Sequence, residues 1–285
     1  MTAQACAERS ERDRFPAPGA LVDVGGGQFI HLRQWGEANP GPTVTLDISA
    51  ATPSSVWSWV GQGLAERGYR VVAFDRPGMA WSYGPPQSRD ARRAADALTA
   101  ALDTTGIPGP YVVVAHSYGA FSSRVFAGMN RNRVSALVLL DSTYPDSGGS
   151  ILAVPYRLQA WLGHTGFFQL VSLPNSFSSL PAHERDAAHA VSRWTTHLDT
   201  SAEELEAWDV SAEQVREFPS FGDLPVLVVS ASRSGVLFDQ QRGLLDISTA
   251  SQMMHIDADH MGMLLDQSHA AQIVEMIDGF IDLSK

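Results

Sequence analysis

The sequence predicts an α/β protein with a mostly parallel central sheet that helices cover on both faces. Short apolar strands alternate along the chain with longer helical segments, as expected for strands joined by crossover helices. One predicted strand runs through a small-x-Ser-x-Gly turn directly into a helix, between Tyr111 and Ala127. The alternation stops between Tyr144 and Pro219 and then resumes, so we expect a helical insertion within one sheet.

The first half of the chain provides most of the predicted sheet. Residues 1–20 are expected to form a flexible arm, and the hairpin after it turns at Gly25-Gly26-Gly27. The strands of this half are predicted at residues 21–24, 28–35, 43–48, 70–74, 112–114 and 135–140. Its helices are predicted at residues 53–67, 89–105 and 120–127.

The second half provides the insertion and the remaining strands. Residues 144–219 contain aromatic residues, prolines and helical stretches at 182–197 and 202–210, but no convincing strand. A segment of roughly 70 residues is long for a connection, so we interpret it as a functional lid. The later elements are strands at 225–230 and 251–256 and helices at 236–245 and 270–281. The predicted domains are an arm (1–20), a core (21–143 and 220–285) and a helical lid (144–219).

Composition excludes several classes of function. The formal net charge of -11 disfavours nucleic-acid partners and anionic membrane surfaces. Cys6 is the single cysteine, so no intramolecular disulfide is possible, and the nine histidines lack metal-ligand spacing. No apolar run approaches the roughly 18–20 residues that span a bilayer. We therefore expect a soluble cytoplasmic protein with no metal and no cofactor, while its oligomeric state stays open.

The turn Ala115-His-Ser-Tyr-Gly119 is typical of a nucleophile elbow, in which a strained turn lifts a serine above the edge of a sheet. The residues two positions before and after Ser117 must be small because the strand and the helix nearly touch there. The same pattern also occurs at ordinary strand-to-helix turns of doubly wound sheets. If Ser117 is a nucleophile, an acid should follow it in the chain and a histidine should come last.

Three segments carry a family resemblance: Ala115-His-Ser-Tyr-Gly119, Tyr69-Arg-Val-Val-Ala-Phe-Asp-Arg-Pro-Gly78 and Ala258-Asp-His-Met261. On these motifs the chain resembles the α/β-hydrolase fold superfamily, in particular serine esterases, lipases and thioesterases with a helical lid. The resemblance covers the chain from Leu21 to its end, apart from the variable lid. It implies that His260 is the general base, whereas His255, His269 and the lid histidines are interpreted as ordinary surface residues.

The third member of the implied triad has two candidates. Most of the family takes its acid from the loop after the strand that follows the lid, where this chain reads Ser230-Ala-Ser-Arg-Ser234 without a carboxylate. The first carboxylate downstream is Asp239, within a predicted helix. Asp141 ends the strand before the lid, a position that some families use, and we favour it on position. An aspartate there also commonly orders a turn.

The resemblance also implies an oxyanion hole made of two backbone N–H groups, from Tyr118 and from Ala50. Many relatives carry His-Gly in the second loop, but this chain reads Asp47-Ile-Ser-Ala-Ala51. A serine at position 49 does not easily take a positive φ, so the loop is expected to differ in shape or to form on ligand binding. The Asp75-Arg-Pro-Gly78 segment is interpreted as a structural turn. The lid residues proposed to line an apolar acyl or ring pocket, or else to pack the lid's own core, are Trp161, Phe167, Phe168 and Trp194.

The leading functional prediction is a serine hydrolase that cleaves a carboxylic ester, thioester or lactone of a small molecule through an acyl-enzyme on Ser117. Two alternatives remain: a lyase, acyl transferase or cofactor-free enzyme that uses the same triad, and a non-catalytic protein that binds a small ligand. Dehalogenase and epoxide hydrolase chemistry is disfavoured because relatives of those kinds use an aspartate at the elbow.

Overall fold

A computed structural model describes residues 3–170, 176–235 and 238–283. Eight strands of this part form one sheet in the order β1-β2-β4-β3-β5-β6-β7-β8. The strands are β1 (Ala20–Asp23), β2 (Phe29–Trp35), β3 (Thr43–Asp47), β4 (Arg70–Phe74), β5 (Tyr111–His116), β6 (Val134–Leu140), β7 (Val226–Ala231) and β8 (Ser251–Ile256). Strand β2 runs antiparallel to β1 and β4, and all other neighbours are parallel. The predicted, mostly parallel α/β sheet is confirmed.

Helices cover both faces of the sheet. They are α1 (Ala3–Arg14), α2 (Ser58–Glu66), α3 (Ala91–Thr105), α4 (Gly119–Met129), α5 (Ala153–His164), α6 (Phe167–Leu170), α7 (Ala182–Val191), α8 (Thr195–Glu206), α9 (Trp208–Arg216), α10 (Phe238–Gly243), α11 (Gly262–Leu265) and α12 (Gln267–Leu283). Alternate residues of the fully buried strand β5 face opposite sides: Val113 packs in the core with α3 and α4, and Val112 and Val114 pack in the core with α2 and α12. This continuous burial explains why β5 is a run of apolar residues.

The segment between β6 and β7 is helical in its described part. It contains α5 to α9 and a 3₁₀ turn at Gly149–Leu152, in agreement with the absence of predicted strands there. Helix α8 packs against α5, and its Leu205 is part of the core. We refer to residues 144–219 as the insertion. None of the described helices is long and apolar enough to cross a membrane.

Two local predictions need correction or completion. Residues 3–14 form helix α1 where the sequence suggested a flexible arm, and the Glu8 side chain on α1 accepts hydrogen bonds from the backbone N–H (3.0 Å) and hydroxyl (2.7 Å) of Thr195. These contacts lie at the first turn of α8, whose N–H groups need acceptors, so the arm is held by the insertion. Of the helix predicted at 236–245, residues 236 and 237 lie outside the described part. The remainder forms α10 and a 3₁₀ turn.

Candidate active site

Ser117 lies in a strained turn between β5 and α4. Its φ is 54°, in the left-handed region that a residue with a Cβ rarely adopts, and its N–H donates to the Leu140 carbonyl oxygen at 3.2 Å. A Cβ atom at Gly119 would lie 2.7 Å from the Ile48 carbonyl oxygen, so no larger residue fits there. The glycine requirement of the elbow therefore has a steric cause, namely the close approach of α4 to the end of β3.

His260 connects Ser117 to Asp141. Its Nε2 lies 2.9 Å from the Ser117 hydroxyl oxygen and its Nδ1 lies 2.6 Å from Asp141 Oδ2. Because the carboxylate accepts the Nδ1 proton, Nε2 is left as the acceptor for the serine proton. This is the linear arrangement that serine acyl-transfer chemistry requires.

Asp141 is 1% exposed and follows β6, the strand next to β5. Burial alone would raise the pKa of this carboxyl group, but hydrogen bonds from His260, Ser234 and the Ala231 N–H hold its pKa below the usual value. The ionised form is therefore favoured, and it can stabilise a positively charged imidazole.

The alternative acid, Asp239, is exposed on α10, and its side chain makes no recorded contact with His260. The Nδ1 atom of His260 is already bonded to Asp141. The structure thus brings the first candidate to the histidine and leaves the second at the surface.

His116, the residue before Ser117, also contacts the loop that carries His260. It is fully buried; its Nε2–H donates to the His260 carbonyl oxygen at 2.8 Å, and the two rings lie 4.5 Å apart. Desolvation, followed by the proximity of His260, lowers the pKa of His116 to about 3, so the ring is neutral. The sequence motif shows His116 beside Ser117 but gives no sign that it supports the backbone of His260.

The two predicted oxyanion donors flank the serine. Ala50 and Tyr118 both line the cavity beside Ser117, and within the described part of the chain neither N–H has a recorded protein acceptor. In the loop that carries Ala50, the positive φ falls at Ala51 (57°) and not at Ser49, which was expected not to adopt one easily. The buried His197 of α8 supports this strained residue, because its Nε2 donates to the Ala51 carbonyl oxygen at 3.2 Å while its Nδ1 accepts from the Ala80 N–H.

A cavity of about 650 Å³ opens beside Ser117, within the range typical of small-molecule sites. Its apolar wall comes from both the core and the insertion, and consists of Leu152, Tyr156, Phe177, Leu205, Trp208, Met261 and Leu265. Apart from Ser117 and His260, the polar side chains that line it are uncharged and consist of Ser49, Thr52, Thr143, Ser147, Ser176 and Gln240.

The four aromatic residues proposed for this pocket do not line it, which corrects the prediction. Trp161 is 62% exposed on α5, and Phe167 is also exposed. Phe168 packs into a small separate cluster with Ala160 and Leu198. Trp194 is fully buried against Trp81 and anchors the insertion to the core. Helix orientation decides which aromatic residues reach the cavity, and the turns that set it are not apparent in the sequence.

Comparison with known proteins agrees with this fold. The family model for the alpha/beta hydrolase fold matches residues 50–266, and the chain belongs to this family. Among solved structures, the enol-lactonase of Burkholderia xenovorans LB400 superposes with a TM-score of 0.72 at 19% identity, covering 92% of this chain and all of the other. This likeness shows the fold.

Three relatives in sequence match parts of this chain. A hydrolase of Pseudomonas putida named for 2-hydroxy-6-oxononadienedioate and 2-hydroxy-6-oxononatrienedioate is 28% identical over 204 residues, covering 68% of each chain. An uncharacterized protein of Schizosaccharomyces pombe is 30% identical over 190 residues, which cover 61% of this chain. The match spans only 34% of the length of the Schizosaccharomyces pombe relative, and 30% of that of a probable transporter of Hormonema carpetanum.

Proposed function

We propose that this chain is a serine hydrolase that cleaves a carboxylic ester, thioester or lactone. The observation that carries the proposal is the continuous hydrogen-bonded chain from the Ser117 hydroxyl through His260 to the buried Asp141. A free serine hydroxyl is a weak nucleophile, and an adjacent base oriented by a carboxylate is the usual means of activating it.

The proposed reaction has two halves. The Ser117 oxygen attacks the substrate carbonyl carbon while His260 takes the hydroxyl proton, and the N–H groups of Ala50 and Tyr118 stabilise the negative oxygen. His260 then protonates the leaving alcohol or thiol as its bond to the acyl carbon breaks. Water, deprotonated by His260, attacks the acyl-enzyme in the same way and releases the acid. In a lactone the leaving alcohol stays attached to the acid.

A fluorophosphonate probe and a substrate panel test this proposal together. We expect mass spectrometry to find one covalent adduct, on Ser117, and we expect turnover of at least one member of a panel of p-nitrophenyl esters, acyl thioesters and lactones. Labelling of Ser117 without turnover of any of them would favour the non-hydrolytic alternative. Absence of labelling would overturn the proposal and favour a ligand-binding protein.

We also expect the site to prefer uncharged substrates. Within the described residues the cavity wall contains no arginine or lysine, and the sequence of residues 171–175 and 236–237 contains no charged residue. A carboxylate that enters this cavity loses water without gaining an arginine or lysine partner. The substrates proposed here therefore differ from the dioates in the name of the Pseudomonas putida relative.

Matched esters measure this preference. We expect kcat/KM for the mono-p-nitrophenyl ester of glutaric acid to be roughly 10- to 100-fold lower than for the corresponding methyl, p-nitrophenyl diester, which has similar size and no charge. Leu152, half-exposed at the cavity, permits a gain-of-function test: L152R should raise turnover of the charged ester, and L152Q should not. Equal turnover of the two esters by the unmodified protein would contradict the expectation.

A further inference from the structure

Arg76 is the most completely buried cation near the site, 3% exposed, and it lies outside the triad. It belongs to the segment that the sequence suggested was only a structural turn. Its guanidinium group donates to Asp47 Oδ1 (2.6 Å) at the end of β3 and bidentately to Glu204 (2.6 and 3.0 Å) on α8 of the insertion. Burial would lower the pKa of Arg76, but Glu204 and Asp47 raise it well above its usual value, so the group is charged.

The same guanidinium group also holds two backbone carbonyl groups of the oxyanion loop, defined here as residues 48–51. Nη1 donates to the Ile48 carbonyl oxygen at 2.5 Å, and Nη2 donates to the Ser49 carbonyl oxygen at 3.1 Å. The Ser49 carbonyl and the Ala50 N–H belong to one peptide unit, and in a trans peptide these two groups point in opposite directions. The contact to Arg76 therefore aims the Ala50 N–H away from the guanidinium group, and a flip of this peptide would break that hydrogen bond.

The second predicted donor is tied to the same network. Asp47 accepts a hydrogen bond from the Ser122 hydroxyl group on α4, the helix that begins at Gly119, two residues after Ser117. The Tyr118 hydroxyl group donates to the Glu204 backbone carbonyl oxygen at 3.1 Å. The segments that carry the Ala50 and Tyr118 N–H groups are thus both hydrogen-bonded to Glu204, the first through Arg76 and the second through the Tyr118 hydroxyl group. The geometry of the oxyanion hole therefore depends on where the insertion packs.

On the basis of the proposed hydrolase function, we infer that Arg76 is a positioning residue, which holds the Ser49–Ala50 peptide with its N–H directed at the oxyanion and couples it to Glu204 of the insertion. Lysine cannot replace arginine here, because a single ammonium group cannot reach two carboxylates and two carbonyl groups in a planar, forked geometry. The N–H is needed mainly when negative charge develops on the substrate oxygen. Loss of Arg76 should therefore affect the transition state more than substrate binding.

The test compares R76K with R89K, a matched control. Arg89 also contacts α8, through Glu203 at 3.1 Å, but makes no recorded contact with the oxyanion loop. For a p-nitrophenyl ester that the unmodified protein hydrolyses, we expect R76K to lower kcat by roughly 100-fold with little change in KM, the size of effect that loss of one oxyanion donor produces. R89K should retain both parameters.

Ligand binding separates positioning from a purely structural role. Calorimetry with butylboronic acid, which mimics the tetrahedral intermediate on Ser117, should show a loss of affinity in R76K that parallels the loss of kcat. Affinity for butyramide, a ground-state analogue, should not change. If R76K does not fold, E204Q takes its place, with an expected loss of roughly tenfold in both kcat and boronate affinity because only part of the network is removed.

Two failures are distinguishable. Unchanged kcat and boronate affinity in the folded variant, or equal losses of boronate and butyramide affinity, would overturn the role of Arg76 while leaving the hydrolase intact. Failure of the unmodified protein to bind the boronate and to hydrolyse any ester would overturn the proposed function itself.

Discussion

Replacement of Ser117 by alanine is expected to lower kcat by roughly 10⁵- to 10⁶-fold for any ester that the unmodified protein hydrolyses. The variant has no atom that can form the acyl-enzyme, and His260 loses the hydroxyl group that lies 2.9 Å from its Nε2. The remaining oxyanion donors and the cavity account for whatever rate persists. Alanine has a Cβ atom like serine, so the strain at φ 54° is unchanged and the fold should be retained.

Initial-rate measurements of S117A require a control for the general effects of removing a hydroxyl group. Ser123, on α4, provides one, because its hydroxyl group is buried and has no recorded partner in the described part of the chain. S123A should keep the activity and thermal stability of the unmodified protein. Hydrolysis by S117A within tenfold of the unmodified rate would rule out a covalent mechanism on this serine.

The order of strands and helices was predictable because each element has a strong local signal. Strand β5 is buried on both faces and is read from its apolar run, and the glycine-rich turn marks the hairpin. Helix α1 was missed for the opposite reason. Its sequence is polar with weak periodicity, and its contacts are to Thr195 and Trp194, residues distant in sequence on the insertion.

The candidate site was predictable where chemistry depends on residue type and less so where it depends on packing. Ser117 and His260 are found from motifs, and the structure brings them together. The oxyanion loop was expected to differ in shape because Ser49 does not easily take a positive φ, but the sequence did not show that Ala51 takes it instead. The contacts of Arg76 were not apparent, because a salt bridge to Glu204 joins positions 128 residues apart.

The choice between Asp141 and Asp239 shows the limit most clearly. Asp141 ends a predicted strand and Asp239 lies within a predicted helix, so position favours Asp141, but the sequence alone does not show which carboxylate reaches His260. The sheet order places β6 directly beside β5, and the end of β6 therefore lies next to the serine. In a parallel sheet, residues at the carboxyl ends of adjacent strands meet at one edge, which brings Asp141 within reach of His260.

Kinetics of D141N and D239N turn this difference into a measurement. In D141N we expect kcat to fall by roughly 10⁴-fold, because a neutral amide neither fixes the Nδ1–H tautomer of His260 nor stabilises the positive charge on its ring. The pKa of Asp141 is held below the usual value, so the native group is ionised at neutral pH and the loss should appear there in full. D239N, at an exposed position, should keep the unmodified rate.

The fluorophosphonate probe adds a second readout to this pair of variants. Labelling of Ser117 also requires removal of its proton, so D141N should be labelled far more slowly while thermal unfolding shows whether the fold is retained. At a pH above the pKa of Asp141 in the unfolded chain, its ionised carboxylate stabilises the folded state, and this contribution is lost as the pH falls through the lower pKa of the folded state. D141N lacks this carboxylate, so its stability should fall less in acid than that of the unmodified protein. A large loss of activity in D239N with full activity in D141N would reverse the assignment and require the α10 region to move toward His260.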